Sequence, residues 1–381
     1  MAAETSYRAD ITIVGAGVIG LAVAAQVARG DRGVYVLERN AGFGLETSSR
    51  HSGVIHSGIY YPHGWLKTRM CVDGNRMLYQ LCERRGIGHR RLGKLVVATS
   101  DDETAELEGL LERGRRNGVE GLRLVSRREL SRLEPHVAGV AALVCPSSGV
   151  IDSHGLMGYY ATQAREGGAR IVFGAEVVAI ERADRGFLVT VADGGGGLSF
   201  TTRALVNCAG LYSDRVAQLA GIDVEGAGYR LHYCKGEYFS VGGGKGRLVQ
   251  RLIYPVPPPH LASVGIHITI DIDGRVRLGP SARYVDAIDY SCDASQRQPF
   301  LDAARRLLPA LGPDDIEPDM AGIRPKLQGP GDEIRDFVIK EERARGLPGL
   351  INLIGIESPG LTASPAIAEY VAGLVAESLG E

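Results

Sequence analysis

Arg324-Pro325-Lys326 sets two cations two residues apart. The proline biases Arg324 away from helix. On an extended segment, a spacing of two puts both side chains on one face. An arginine grips a carboxylate through two parallel N–H bonds, and a lysine beside it adds a second positive centre. Three histidines are candidates for a proton acceptor near neutral pH. His56 closes a small polar loop. His267 lies in the apolar, alternating run 264–271, on one face with Gly265 and Thr269. His51 sits deeper in the loop. Each also reads as a hydrogen-bonded structural histidine; His56 and His267 are preferred to His51 for the active site. Tyr60, Tyr61 and Tyr254 are candidate hydroxyl donors. Glu357 is either an acid of the site or an acid favouring the start of the last helix.

Such residues need a scaffold, and the stretch 11–38 supplies it. An apolar run, Ile11-Thr12-Ile13-Val14, enters a turn with Gly15, Gly17 and Gly20. A helical segment follows to Arg29, and a second apolar run ends on Glu38. This is the dinucleotide fingerprint in its strand–turn–helix–strand context. Gly15 permits the tight turn, Gly17 leaves room for a pyrophosphate, and Gly20 lets helix and strand pack closely. The helix start, at Val18 and Ile19, offers N–H groups and partial positive charge to phosphates. Glu38 lies 18 residues after Gly20, where a carboxylate accepts ribose hydroxyls and repels a 2′-phosphate. The loop 39–62 exceeds what a mononucleotide fold needs. It is small, polar and Gly-rich, the composition of a loop threading beside a ligand.

The remaining chain bounds the class. A length of 381 residues predicts two domains. A hydrophobic share of 44% and a charged share of 23% are ordinary for a soluble globular protein. A net charge of −2 with no basic stripe predicts no nucleic-acid partner. Six cysteines without a CxxC pair argue against a metal site, a cluster or a disulfide scaffold, and predict reduced, mostly buried thiols. The apolar stretch 11–28 is not a membrane or signal helix: Arg8 and Asp10 precede it, glycines interrupt it, and no cleavage site follows. Helices are expected over 67–85, 101–117, from 126, and over 154–166, 212–219, 300–311 and 359–379. Strands are expected over 91–100, 203–210, 229–241, 252–256 and 350–356. A turn is expected over 145–152 and a strand pair within 169–180. Hairpins are expected at 187–202, around the glycine tract 194–197, and at 264–278, around Asp273-Gly274. Strand–turn–helix units at 11–30 and 203–220 predict a parallel sheet built from distant segments. There is no second fingerprint, which disfavours reductases carrying two dinucleotide folds.

Several motifs together resemble the D-amino-acid-oxidase-type FAD oxidoreductases, and within them the L-2-hydroxyglutarate dehydrogenases and oxidases. They are Gly15-Ala16-Gly17-Val18-Ile19-Gly20, Glu38-Arg39, 44–50, 52–62, Asn207-Cys208-Ala209-Gly210, 235–239, 322–327 and 356–362. The resemblance implies an α/β fold. A Rossmann-like FAD-binding domain of the glutathione-reductase type would comprise 1–85, 140–225 and 320–381. A second, α+β substrate domain on a mixed or antiparallel sheet would comprise 86–139 and 226–319. It implies FAD, with Gly15, Gly17 and Gly20 at the pyrophosphate and Glu38 and Arg39 at the adenosine. Val177 would contact the adenine region. Thr47, Ser48, Ser49, Arg50, His51 and Ser52 would run along the flavin, with Ala209 and Gly210 also at the cofactor. Gly360, Leu361 and Thr362 would bring a helix N-terminus to the flavin N1/C2=O edge, where reduction adds negative charge.

The reaction implied is oxidation of a 2-hydroxy acid, foremost L-2-hydroxyglutarate to 2-oxoglutarate, by hydride transfer to flavin N5. His56 or His267 would take the hydroxyl proton, Arg324 and Lys326 would hold the two carboxylates, and Tyr60 would donate a hydroxyl. The alternatives are an amine or amino-acid oxidase on the same fold and a non-catalytic nucleotide-binding protein. Electrons would leave to oxygen, a quinone or an electron-transfer protein. A cytoplasmic location is expected, with peripheral contact to the inner face of the membrane left open.

Overall fold

The computed structural model describes residues 8–192, 197–257 and 265–381. Five strands form its parallel centre. Arg8–Val14 lies between Val34–Glu38 and Leu198–Asn207; Arg170–Phe173 and Leu347–Ile354 extend the sheet on either side. Glu176–Ala183, Gly186–Ala192 and Val338–Glu342 add antiparallel strands. The central strands are covered on both faces, so Ile11, Ile13, Val36, Val206 and Ile351 are buried on one face and Leu37, Leu205 and Leu350 on the other. The helix Val18–Val27 is apolar nearly all round because it is sandwiched, packing against both Ser153–Glu166 and Gly360–Leu379.

A second, nine-stranded sheet is mostly antiparallel. Its longest pairing joins His232–Val241 to Ile316–Lys326. One parallel pair, Leu252–Pro255 beside Lys94–Ala98, sits within it. The loop 39–62 is pressed between the two sheets. A Cβ at Gly322 would stand 2.0 Å from the Arg50 carbonyl oxygen, so only glycine lets the strand come this close. Thr47 Oγ1 donates to the Ile323 carbonyl at 3.1 Å, fixing the loop against the strand that carries Arg324 and Lys326.

The structure departs from the expectations in several places, and the expected helix 300–311 runs instead over Arg297–Arg305. The segments at 198–202 and 203–210 form one strand, Leu198–Asn207, whose first half pairs with Gly186–Ala192 and whose end meets Leu347–Ile354. No turn residue interrupts it. The glycine tract 194–196 and Val264 lie outside the described residues. Within 169–180 there are two strands, but Arg170–Phe173 pairs with Val34–Glu38 while Glu176–Ala183 pairs with Gly186–Ala192. Gly174, at φ +68°, separates them. The expected turn 145–152 contains the strand Gly149–Ile151, which joins Val54–Ile55 and His89–Arg90 in a small third sheet. Finally, 141–145 and 316–326 both belong to the second sheet, which moves the layer division away from the expected boundaries at 140 and 320.

Candidate active site

A cavity of about 910 Å³ runs from the fingerprint turn, past the loop 39–62, to the cations of the second sheet. That size suits a ligand pocket. Its first end is a cradle made by missing side chains. Gly15 has φ +102°, and a Cβ there would lie 2.5 Å from the Cys208 carbonyl oxygen. A Cβ at Gly20 would lie 1.9 Å from the Gly15 oxygen. Gly20 is packed away from the cavity, which is the close-packing role expected of it, whereas Gly15, Gly17, Val18 and Ile19 line the cavity. Val177, Ala209 and Gly210 complete this end, and Gly360 and Leu361 open the terminal helix onto the cavity further along. The residues present fit an extended dinucleotide. Gly15→Ala would combine a strained backbone, costing about 1–3 kcal/mol, with a main-chain clash. The expected result is an FAD content at least about tenfold lower after purification, read from the ratio of flavin to protein absorbance.

Glu38 is buried and does more than the spacing suggested. Its Oε2 accepts the Ala16 N–H at 2.9 Å, and Oε1 accepts from the Asn40 main chain at 2.8 Å. It therefore braces the glycine turn as well as lining the cavity. Arg39 pairs with Glu46 and lies 3.7 Å over the Tyr212 ring. Ser48 Oγ accepts the Val18 N–H at 3.0 Å, tying the loop to the helix start. Arg50 stacks on Tyr290 at 4.0 Å, and Ser52 lines the cavity. Two expected contacts are corrected. Ser49 turns inward to donate to the Gly44 carbonyl. Thr362 is fully buried behind the wall; its Oγ1 accepts the His56 N–H at 3.0 Å and donates to the Val54 carbonyl. Both hold the lining in shape without forming it.

The histidines stand at the other end. The Gly265 carbonyl can only accept, so His267 Nδ1, at 2.9 Å, carries the proton and leaves Nε2 as an acceptor. Burial pushes His267 down to about 3, with the nearby Lys94 and Arg324 charges acting in the same direction. His56 is held well below the ordinary histidine range by burial and then by Lys94. Its Nε2 meets Ser358 Oγ at 3.3 Å. His51 accepts the Gly53 N–H on Nδ1 at 3.0 Å and is lowered to about 4 by burial. All three are neutral at physiological pH. Tyr60 and Tyr254 line the cavity near them, and their buried hydroxyls have no hydrogen-bond partner among the described residues.

The expected cation pair is divided. Arg324 lines the cavity with neutral partners only: its guanidinium donates to the Ser281 carbonyl at 2.8 Å and to Cys234 Sγ at 3.3 Å. Lys326 is already engaged, with Nζ 2.9 and 3.1 Å from the two oxygens of Glu357. Lys67 Nζ lies 3.1 Å from the same carboxylate. Burial alone would raise Glu357, but the two lysines outweigh it and hold the carboxyl at about 2. The site thus contains a buried Lys67–Glu357–Lys326 triad of net charge +1 beside Arg324, which feels the Glu357 charge but has no carboxylate at ion-pair distance among the described residues. Sequence reading missed Lys67, which entered only as the first residue of the expected helix 67–85.

A family model described as FAD dependent oxidoreductase, DAO, matches residues 10–374. The chain belongs to the DAO family of FAD-dependent oxidoreductases. This enzyme is 35% identical to a protein named L-2-hydroxyglutarate dehydrogenase, mitochondrial, of Arabidopsis thaliana, over 96% of this chain and 83% of that one. It is 31% identical to the L-2-hydroxyglutarate dehydrogenase of Indibacter alkaliphilus, over 95% and 97%. Among solved structures, the dithionite-reduced L-α-glycerophosphate oxidase of Mycoplasma pneumoniae with FAD bound superposes with a TM-score of 0.86 at 28% identity, covering 97% of this chain and 95% of that chain. The glycine oxidase of Geobacillus kaustophilus shares the fold, with a TM-score of 0.78 at 23% identity over 98% and 95%. Among the described residues no helix of this FAD enzyme is long and apolar enough to cross a membrane. Nor do three or more His, Cys, Asp or Glu side chains there gather as a metal site.

Proposed function

We propose that this enzyme oxidises a 2-hydroxy acid, foremost L-2-hydroxyglutarate, to the 2-oxo acid. The observation that carries the reading is Arg324: a guanidinium facing the cavity whose partners are a carbonyl and a thiol, with no carboxylate at ion-pair distance among the described residues. A half-buried fork facing a cavity in this way is suited to a substrate carboxylate. The triad's surplus positive charge, a few residues along the same wall, favours a second carboxylate, and the names of the relatives point to the same diacid. His267 and His56, both neutral, are the groups to accept the substrate hydroxyl proton, and the tautomer fixed by Gly265 favours His267 Nε2. The tyrosine hydroxyls of Tyr60 and Tyr254 supply donors to the substrate oxygens. The flavin, when bound, supplies the two-electron acceptor.

The test is a panel of 2-hydroxy acids and amino acids added anaerobically to the yellow holoenzyme. L-2-Hydroxyglutarate is expected to bleach the flavin fastest; bleaching only by amino acids would reject the reading in favour of an amino-acid oxidase. Oxygen, a quinone and an electron-transfer protein, offered in turn to the reduced enzyme, identify the acceptor. Fractionation of source cells tests the proposed cytoplasmic location and any peripheral attachment to the membrane. Loss of a positioned base costs about 10²–10⁴-fold. His267→Asn is therefore expected to slow anaerobic flavin reduction by at least about a hundredfold, and His56→Asn to have the smaller effect. The reverse order would transfer the role to His56.

A further inference from the structure

Lys94 is the first residue of the strand Lys94–Ala98 and is fully buried. Its Nζ has no hydrogen-bond partner among the described residues. It lies instead 4.7 Å from the ring centroid of Tyr60 and 4.3 Å from that of Tyr254. Those two rings line the cavity, while Lys94 stands behind them, outside its wall. Tyr254 in turn stacks on His267, with centroids 3.8 Å apart and planes at 18°. The strands explain the placement: Lys94 pairs with Leu252 and Val96 with Tyr254, so Lys94 and Tyr254 fall on one face of adjacent strands.

We propose that Lys94 is a positioning residue for the substrate site, a cation held behind Tyr60 and Tyr254 that fixes both rings and acts through them on the substrate oxygens. The identity of the substrate rests on the function proposed above; the role of the charge does not. An unpaired buried ammonium is expensive, and a leucine or methionine would fill the space at lower cost. The quadrupoles of two aromatic faces offset part of that cost. What the charge provides is a positive field at the cavity wall. It polarises the two phenols as donors and favours negative charge on a substrate oxygen as its proton leaves. The other titratable groups around Nζ are Cys71, Cys145 and His267, all buried, and the half-buried His56. None supplies a counter-charge at neutral pH. Burial lowers Lys94 itself to about 8.

The test compares wild-type holoenzyme with Lys94→Met, Tyr254→Phe and the double variant. Removing the charge is expected to lower kcat by about tenfold or more, with a smaller change in KM. The double variant should be no worse than the poorer single one, because both changes break the same pathway. Thermal stability supplies a readout independent of substrate. The folded-state value of Lys94 lies below its ordinary value, so the penalty of the buried charge is fully present below about pH 8 and is relieved as pH rises towards 10.5. Lys94→Met should therefore melt higher than wild type at pH 7, and the difference should shrink by pH 10. An unchanged kcat, strictly additive losses, or a variant that melts lower at pH 7 would each overturn the proposal. If wild type fails to oxidise L-2-hydroxyglutarate, the function reading fails, while the pH dependence of melting still decides whether a buried charge sits at position 94.

Discussion

Arg324→Ala is expected to lower kcat/KM for L-2-hydroxyglutarate by about a hundredfold or more, mostly through KM, while FAD stays bound. Truncating one member of a buried charge-assisted pair costs about 2–5 kcal/mol, and a contact to a carboxylate away from the reacting carbon is made equally in ground and transition states. The cofactor should be retained because the glycine cradle and the Ser48 tether to Val18 lie at the other end of the cavity. Arg324→Lys should recover little. A lysine ammonium keeps the charge but cannot reproduce the planar fork, and it gives up either the Ser281 or the Cys234 contact. Steady-state kinetics with a flavin absorbance spectrum of each variant checks this. A variant with wild-type KM would remove Arg324 from the substrate; one that loses FAD would place it at the cofactor.

The place of Arg324 was legible because the following proline keeps it off a helix and a spacing of two puts it on one face with Lys326. Lys326 was legible in position and misjudged in role. Whether a buried lysine is free depends on what faces it, and its partner, Glu357, is 31 residues away in the chain. Lys67 is further still, 290 residues from that carboxylate. Pairing at such range is settled by how the sheets pack, which periodicity does not encode. The fingerprint end was read nearly whole for the opposite reason: its turn, helix start and acid are local, and each glycine answers a local steric demand. Thr362 and Ser49 were misplaced by one layer. Their motif was right, but the direction of a side chain at a helix start or in a short 3-10 turn is set by its hydrogen bonds to Val54, His56 and Gly44. Lys94 was read only as part of the expected strand 91–100, since nothing in Lys-Leu-Val-Val-Ala says that two tyrosines from elsewhere close over it.

Glu357→Gln is expected to destabilise the holoenzyme by about 3–5 kcal/mol, because it leaves two buried ammonium groups without their counter-charge. On thermal melting this amounts to a drop on the order of 5–10 °C. The pH dependence carries the signature. The folded-state value of Glu357, about 2, lies below its ordinary 4.5, so its contribution is fully present above pH 4.5 and is lost as pH falls through 2. Wild type should lose about 3 kcal/mol over that window that Glu357→Gln has already lost. A second step separates structure from function. A buried ion cluster is weak evidence for stability, and replacing all members with apolar groups is often neutral or favourable. The variant Lys67→Met, Glu357→Leu, Lys326→Met should therefore regain most of the melting temperature lost by Glu357→Gln. It also removes the net positive charge at the wall of the cavity, so affinity for a dianionic 2-hydroxy acid should fall more than affinity for a monoanionic one. If the triple variant is stable and still distinguishes the two substrates as wild type does, the triad serves the fold alone and Arg324 carries the recognition by itself.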